Sequence, residues 1–221
     1  MELYEVMRTT FACREFTGEP VPAEVLHRII DNARFAPSGG NRQGWRIIQI
    51  QDPTSRARLA DLSQAAATRY VLQLQAGESP FNTVNPSSIT PEQVAAAEPA
   101  DWLVASIRHA PTLLVVTVDL SLLAAMDADL DRVGLVSGGS VYPLAWNILL
   151  AARNEGYAGT ITTMAVTREP EVRNLLGIPE HWAVAAVIPL GEPVKQLRKL
   201  RRKPVEEILF TDRWDGPGAK V

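Results

Sequence analysis

The sequence predicts a layered fold in which helices and strands alternate, α/β or α+β in class. Three observations carry this expectation. Apolar residues make up 46% of the 221-residue chain and charged residues 21%, a balance that supports a packed core and excludes disordered, collagen-like and coiled-coil chains. Segments with helical spacing and segments rich in β-branched residues follow one another along the chain. No internal repeat interrupts them. A chain of this length buries roughly 70% of its unfolded surface, and no linker divides its middle, so residues 1–221 are expected to form a single domain.

Leu3, Val6 and Met7 stand at i, i+3 and i+4, which predicts a short helix over 3–9 with an inward apolar stripe. Pro22 suits the first turn of a second helix. Val25, Leu26, Ile29, Ile30 and Ala33 share one of its faces, and Pro37 with Gly39-Gly40 stops it. Trp45 to Ile50 reads as a strand. Asp52 or Thr54 caps a long helix running to about Ala76, with Pro53 in its first turn. Gly77, Pro80, Asn82, Asn85, Pro86, Ser87 and Pro91 make 77–91 a long loop, of the kind used for lids. Thr112–Val118 and Trp182–Ile188 read as buried strands. Between them, Tyr142–Arg153 is a helix apolar on nearly every side, buried in the core or against a second subunit, with Gly156 as its stop. A further strand is expected near Ala158–Thr163, and a helix over Glu169–Leu176 that Gly177 and Pro179 end. The tail carries a basic run, Lys195 to Lys203.

Charge and composition exclude several functions. Twenty-two basic against 25 acidic side chains leave a net charge of −3, with no general attraction to nucleic acid or anionic lipid. The longest apolar stretches are too short to span a bilayer, and the acidic N-terminus lacks a signal-peptide core, so export and membrane insertion are not expected. The single cysteine, Cys13, forms no internal disulfide, and a cytoplasmic setting is the default. His27, His109 and His181 are scattered, and one cysteine builds no thiolate zinc site, so no metal is expected. Phosphate-loop and dinucleotide glycine fingerprints are absent, and Gly138-Gly139-Ser140 lacks the spacing of a nucleophile elbow and reads as a helix entry.

Four short segments remain. Arg8 to Phe16 places two arginines, Arg8 and Arg14, around Thr9 and Thr10, a set suited to holding an anion. Ala36 to Trp45 combines glycines that let a backbone approach a flat ligand with the amides of Asn41 and Gln43. Gly156 to Thr163 is small enough to lie under a ring. The fourth is the basic run ending Arg201-Arg202-Lys203-Pro204. Each alone has a plain structural reading; together they supply anion donors at both ends of the chain and a glycine-lined plane between.

These residues resemble the FMN-dependent nitroreductase superfamily, from about Leu3 to Trp214. Phe35-Ala-Pro-Ser-Gly-Gly-Asn-Arg-Gln-Gly-Trp45 follows the family's Ala-Pro-Ser-x-x-Asn-x-Gln-Pro-Trp, with Gly44 in place of the usual proline. Arg14-x-Phe16, Gly156–Thr163, Leu176-Gly-Ile-Pro179 and Arg202-Lys-Pro-Val-Glu-Glu207 agree further. The resemblance implies an α+β fold, a three-layer α/β/α sandwich around a mainly antiparallel sheet, assembled as an intertwined homodimer with two FMN sites at the interface. It also implies that Arg14 meets the flavin pyrimidine edge, and that Pro37, Ser38, Gly39 and Asn41 reach the same ring system from the partner copy. Thr162 and Thr163 would lie against the ring, and Arg201 or Arg202 would pair with the phosphate.

The first motif departs from the family, with Phe11-Ala12 where a basic residue precedes a serine. Either phosphate binding leans on Arg8, Thr10 and the C-terminal arginines, or Phe11 packs in the core and leaves Arg8 as an exposed helix-end charge. The implied function is an oxidoreductase passing hydride from NADH or NADPH through FMN to an electron-poor small molecule: a nitroarene, quinone or activated alkene. No protein nucleophile is then needed, because the cofactor carries the electrons. Reductive dehalogenation on the same scaffold, and a non-catalytic flavin-binding regulatory or storage module, are the alternatives. Residues 77–110 are the expected substrate-side cover, and 195–221 a C-terminal extension.

Overall fold

The computed structural model describes residues 1–218; residues 219–221 of the expected C-terminal extension lie outside that range. Its helices are α1 (Leu3–Thr9), α2 (Ala23–Ala33), α3 (Pro53–Gln75), α4 (Pro91–Ala96), α5 (Asp101–His109), α6 (Tyr142–Asn154) and α7 (Glu169–Leu176). Its strands are β1 (Trp45–Gln49), β2 (Thr112–Asp119), β3 (Ala158–Gly159) and β4 (Trp182–Gly191). They form one antiparallel sheet in the order β1-β2-β4-β3. Among the described residues, no helix is long and apolar enough to cross a membrane.

Successive side chains of a strand point to opposite faces, and both faces of β2 and β4 are apolar. Leu114, Val116 and Val118, with Ala186, Ile188 and Leu190, pack against Leu26, Ile29 and Ala33 of α2 and Leu144, Ile148 and Ala152 of α6. Leu113, Val115, Val184 and Val187 pack the other way, against Leu59 and Leu62 of α3, Ile107 of α5 and Val172 of α7. The result is the expected three-layer α/β/α sandwich. The register steps from Val116 opposite Ala186 to Thr117 opposite Val184, so Ala185 is the extra residue of a β-bulge. The Tyr142 hydroxyl donates to the Ala185 carbonyl at 3.3 Å, occupying an acceptor at the bulge.

Several boundaries follow from local chemistry. Asp52, not Thr54, caps α3, its carboxylate accepting from the Ser55 N–H and hydroxyl at 2.7 Å each. Gly177 takes the left-handed conformation, φ 63°, that closes α7. The third strand is shorter than its sequence suggests. β3 ends at Gly159; Thr160 donates to the Pro189 carbonyl at 3.3 Å, but proline has no N–H to return the bond. Pairing resumes only as a single bridge between Thr162 and Val187.

Two expectations need correction. Of the apolar stripe on α1 only Val6 is buried, while Leu3 is 61% and Met7 49% exposed. The apolar stripe does not turn inward, because this two-turn helix lies on α6 at the rim and covers no part of the sheet. The loop expected over 77–91 ends at Thr90, because a capping box between Thr90 and Gln93 starts α4 at Pro91, and α5 follows.

Arg56 of α3 fastens this helix to the sheet. Its guanidinium donates to the Ile50 carbonyl at 3.1 Å and to the Ala110 carbonyl, at the ends of β1 and α5. Arg56→Met leaves both carbonyls without this donor, and is expected to lower stability by about 1.5–3 kcal/mol, read as a shifted urea midpoint at unchanged slope.

Candidate functional site

The first motif is laid along the sheet edge by backbone bonds. Cys13 N–H donates to Gly159 O at 2.9 Å, Thr17 N–H to Glu192 O at 3.0 Å, and Val194 N–H to Glu15 O at 3.1 Å. Phe16 lies over Gly191, where a Cβ would stand 2.9 Å from the ring. The start of the tail is tied to the same segment, Gln196 Nε2 donating to Thr9 O at 2.9 Å. Arg153 Nε donates to the Thr9 hydroxyl, also at 2.9 Å.

These ties form a cavity of about 560 Å³ whose walls include Phe11, Arg14, Glu15, Trp102, Lys195 and Leu197. Among the described residues, neither Arg14 nor Lys195 makes an ion pair. The only acidic wall residue is Glu15, so the donor set suits an anionic or carbonyl-rich ligand. Phe11 is half-buried on this wall and joins no core cluster. Trp102 is 64% exposed above it. Burial raises the Cys13 thiol pKa, which keeps it protonated and unreactive at neutral pH.

The other expected residues fall at several places. Arg8 is exposed at the end of α1. Thr10 is buried, its hydroxyl donating to Val6 O at 2.7 Å, so that proton is already engaged inside the helix end. Thr162 exchanges backbone bonds with Val187 at 2.9 and 2.8 Å, and Thr163 follows it, exposed, before the 3₁₀ turn Met164–Arg168. Arg201 and Arg202 are exposed on the extended tail, Arg202 donating to the Arg201 carbonyl at 2.8 Å.

Pro37, Ser38, Gly39 and Asn41 form a separate tight loop. Asn41 N–H donates to Ser38 O at 2.8 Å, and Gln43 N–H to the Ser38 hydroxyl at 3.0 Å. Gly40, Asn41 and Gln43 have φ of 60°, 53° and 50°, a conformation that costs a residue such as Gln43 roughly 1–2 kcal/mol. Ser140 anchors the loop: its hydroxyl accepts from Gly39 N–H at 3.0 Å and its carbonyl from the Trp45 indole. Ser140 is a positioning residue absent from the sequence expectations. Gly44 packs beside Leu122, where a Cβ would lie 3.0 Å from the Leu122 Cβ. Among the described residues, no hydrogen bond joins this loop to residues 8–14 or 162–163. The two segments are thus not bonded to each other within one chain.

Loop 77–90 is tethered. The Glu78 carboxylate accepts from both hydroxyls of Ser87 and Ser88 and from Ser88 N–H, all at 2.6 Å, and from Gln73 Nε2 at 3.2 Å.

The family model described as "Nitroreductase family" matches residues 7–192. Human iodotyrosine deiodinase 1 is 26% identical over 212 residues, covering 95% of this chain and 68% of that protein. A protein of Thermus thermophilus named NADH dehydrogenase is 27% identical over 206 residues, 89% of each chain. The crystal structure of oxidized iodotyrosine deiodinase bound to FMN and 3-iodo-L-tyrosine superposes with a TM-score of 0.65 at 22% identity, covering 92% of this chain and 96% of that one.

The hydrogen bonds to Glu78 hold its pKa down to about 2, from an ordinary 4.5. A depressed acid stabilises the fold fully above its unfolded value, and that stabilisation is lost as pH falls through the folded one. Followed by NMR from neutral pH downward, the Ser88 amide should keep its shift through 4.5 and move only as pH approaches 2. Glu78→Gln should speed proteolysis within 77–90 at neutral pH.

Proposed function

The chain belongs to the nitroreductase family, and on that premise we propose that it is an FMN-dependent oxidoreductase acting as a homodimer. The observation that carries the reading is the Arg14 cavity, lined by a segment tied to Gly159, where two cations that, among the described residues, form no ion pair meet a tryptophan. When bound, FMN supplies a ring that takes hydride from NADH or NADPH and delivers it to a nitroarene, quinone or activated alkene.

The chain's own residues bind, orient and exclude water. Arg14 offers a fixed cation to the pyrimidine edge, favouring the negative charge that reduction places there. Thr162, its backbone N–H and carbonyl both spent on Val187, would fix the segment against the ring, and Thr163 would offer its N–H and hydroxyl. The exposed Arg201 and Arg202, with Arg8 and Lys195, are the cations available to a phosphate. Thr10, its hydroxyl proton already given to Val6, contributes by fixing the end of α1. The Pro37–Asn41 loop of the partner copy closes the other side, with its strained backbone held by Ser140 in advance of binding. Residues 77–110 cover the acceptor side and exclude water.

A second reading, reductive dehalogenation of a halogenated phenol, is favoured by the similarity to the human deiodinase along nearly the whole chain. Substrate choice then rests on contacts from 77–110 that differ between the two transition states.

Protein purified with FMN should be yellow and bleach on adding NADH or NADPH without oxygen; colourless protein after reconstitution would refute flavin binding. Colour without bleaching, and no acceptor reduced after dithionite treatment, would indicate a flavin-binding module without turnover. Nitroarenes and halophenols offered to the reduced protein separate the two enzymatic readings. Arg14→Ala is expected to weaken FMN binding by about 10- to 100-fold, the equivalent of one charged hydrogen bond; unchanged affinity would remove Arg14 from the site.

A further inference from the structure

A second cavity, of about 630 Å³, lies between α3, loop 77–90, α4 and the Met164–Arg168 turn, and shares no lining residue with the Arg14 cavity. Ala66, Phe81, Ile89, Val94 and Pro99 make much of its wall apolar. Into this wall α3 places Arg69. Its Nε is buried and has no hydrogen-bond partner, and among the described residues Arg69 forms no ion pair. The other charged wall residues are already matched: Asp61 with Arg108 at 2.8 Å, and Arg168 with Glu171. One cation is therefore left in excess.

The aromatic wall is built with care. Phe81 has φ 52°, a left-handed conformation that is a genuine outlier for a bulky residue. It is held there by its N–H, which donates at 3.1 Å to Oε1 of Gln73, a side chain only 1% exposed. Gln73 is fixed in turn by Glu78, the same carboxylate that closes the loop. This chain of bonds places the Phe81 ring under the Arg69 guanidinium, 5.3 Å from Cζ to the ring centroid.

We propose that this cavity binds a small aromatic carboxylate, distinct from the flavin. The volume fits a ligand of that size. A flat apolar body suits the Phe81, Ile89 and Val94 wall. A single carboxylate matches the single excess cation, because a guanidinium edge presents parallel N–H donors to its two oxygens. The Nε is sealed in the wall, whereas the terminal guanidinium nitrogens are not buried and, among the described residues, make no hydrogen bond, so they are the donors left for the carboxylate.

Phenylacetate and its neutral isostere phenylacetamide test this by titration calorimetry on the full-length protein, with and without FMN. Phenylacetate should bind, and phenylacetamide about tenfold more weakly or worse. Arg69→Gln, checked by its melting temperature to be folded, should lose the preference for the acid. Arg69→Lys, which keeps the charge without the fork, should restore only part of it. Absence of phenylacetate binding, equal affinity for acid and amide, or loss on Arg14→Ala with none on Arg69→Gln would each overturn the proposal. The comparison of acid with amide needs no variant, so it stands even if the substitutions unfold the chain.

Discussion

Strands β2 and β4 have no face open to water, so each must be covered twice, and the covering helices decide where the loops begin. α2 and α6 take one face; α3, α5 and α7 take the other. Burial of this kind stabilises by roughly 25 cal/mol per Å² of apolar area, which far exceeds what any one surface ion pair contributes. The loops proposed to form the site hang from the ends of these elements: the first motif on β3 and β4, the Pro37–Asn41 loop after α2, and the proposed cover after α3. Their positions are consequences of how the sheet is buried.

The two proposed half-sites express a division of labour within the chain. On one side, backbone bonds to Gly159 and Glu192 and the Gln196 side chain on Thr9 hold a segment that lines a cavity with cations, without cancelling their charge. On the other, Ser140 and Ser38 hold a strained loop whose amide-bearing residues stay exposed. Neither is a pocket that a packed core would create by itself. Each leaves polar groups open that folding of the single chain does not use, and such reserved groups characterise binding surfaces.

Much of this was legible in the sequence because it rests on local rules. Helix limits at Pro53 and Gly177, the β-branched run of β2 and the continuous apolar run of β4 follow from residue pattern and turn chemistry alone. The segments proposed to hold the flavin are glycine-rich and arginine-rich stretches of the sequence itself. What escaped depends on partners distant in sequence. Ser140 reads as part of a helix entry until Gly39, 101 residues away, donates to it. The truncation of β3 is set by Pro189 on a neighbouring strand, and the outward face of α1 by where that helix comes to rest. α4 was signalled by Thr90-x-x-Gln93, yet its six residues bury nothing, so no apolar stripe marks it. Arg69, with its buried Nε, carries no local signature, since a single arginine on a helix reads as solvated.

The proline that ends β3 also bears on how the protein keeps to itself in a crowded solution. A sheet in the order β1-β2-β4-β3 exposes two borders, and long flat borders recruit strands from other molecules into fibrils. Here one border is two residues long and already met by Ala12 across Gly159, and its continuation faces a residue unable to extend a ladder. The other is five residues long and carries Arg46 and Gln49. The irregularity that leaves Thr160–Thr163 only partly paired to the sheet thus also denies aggregation a template.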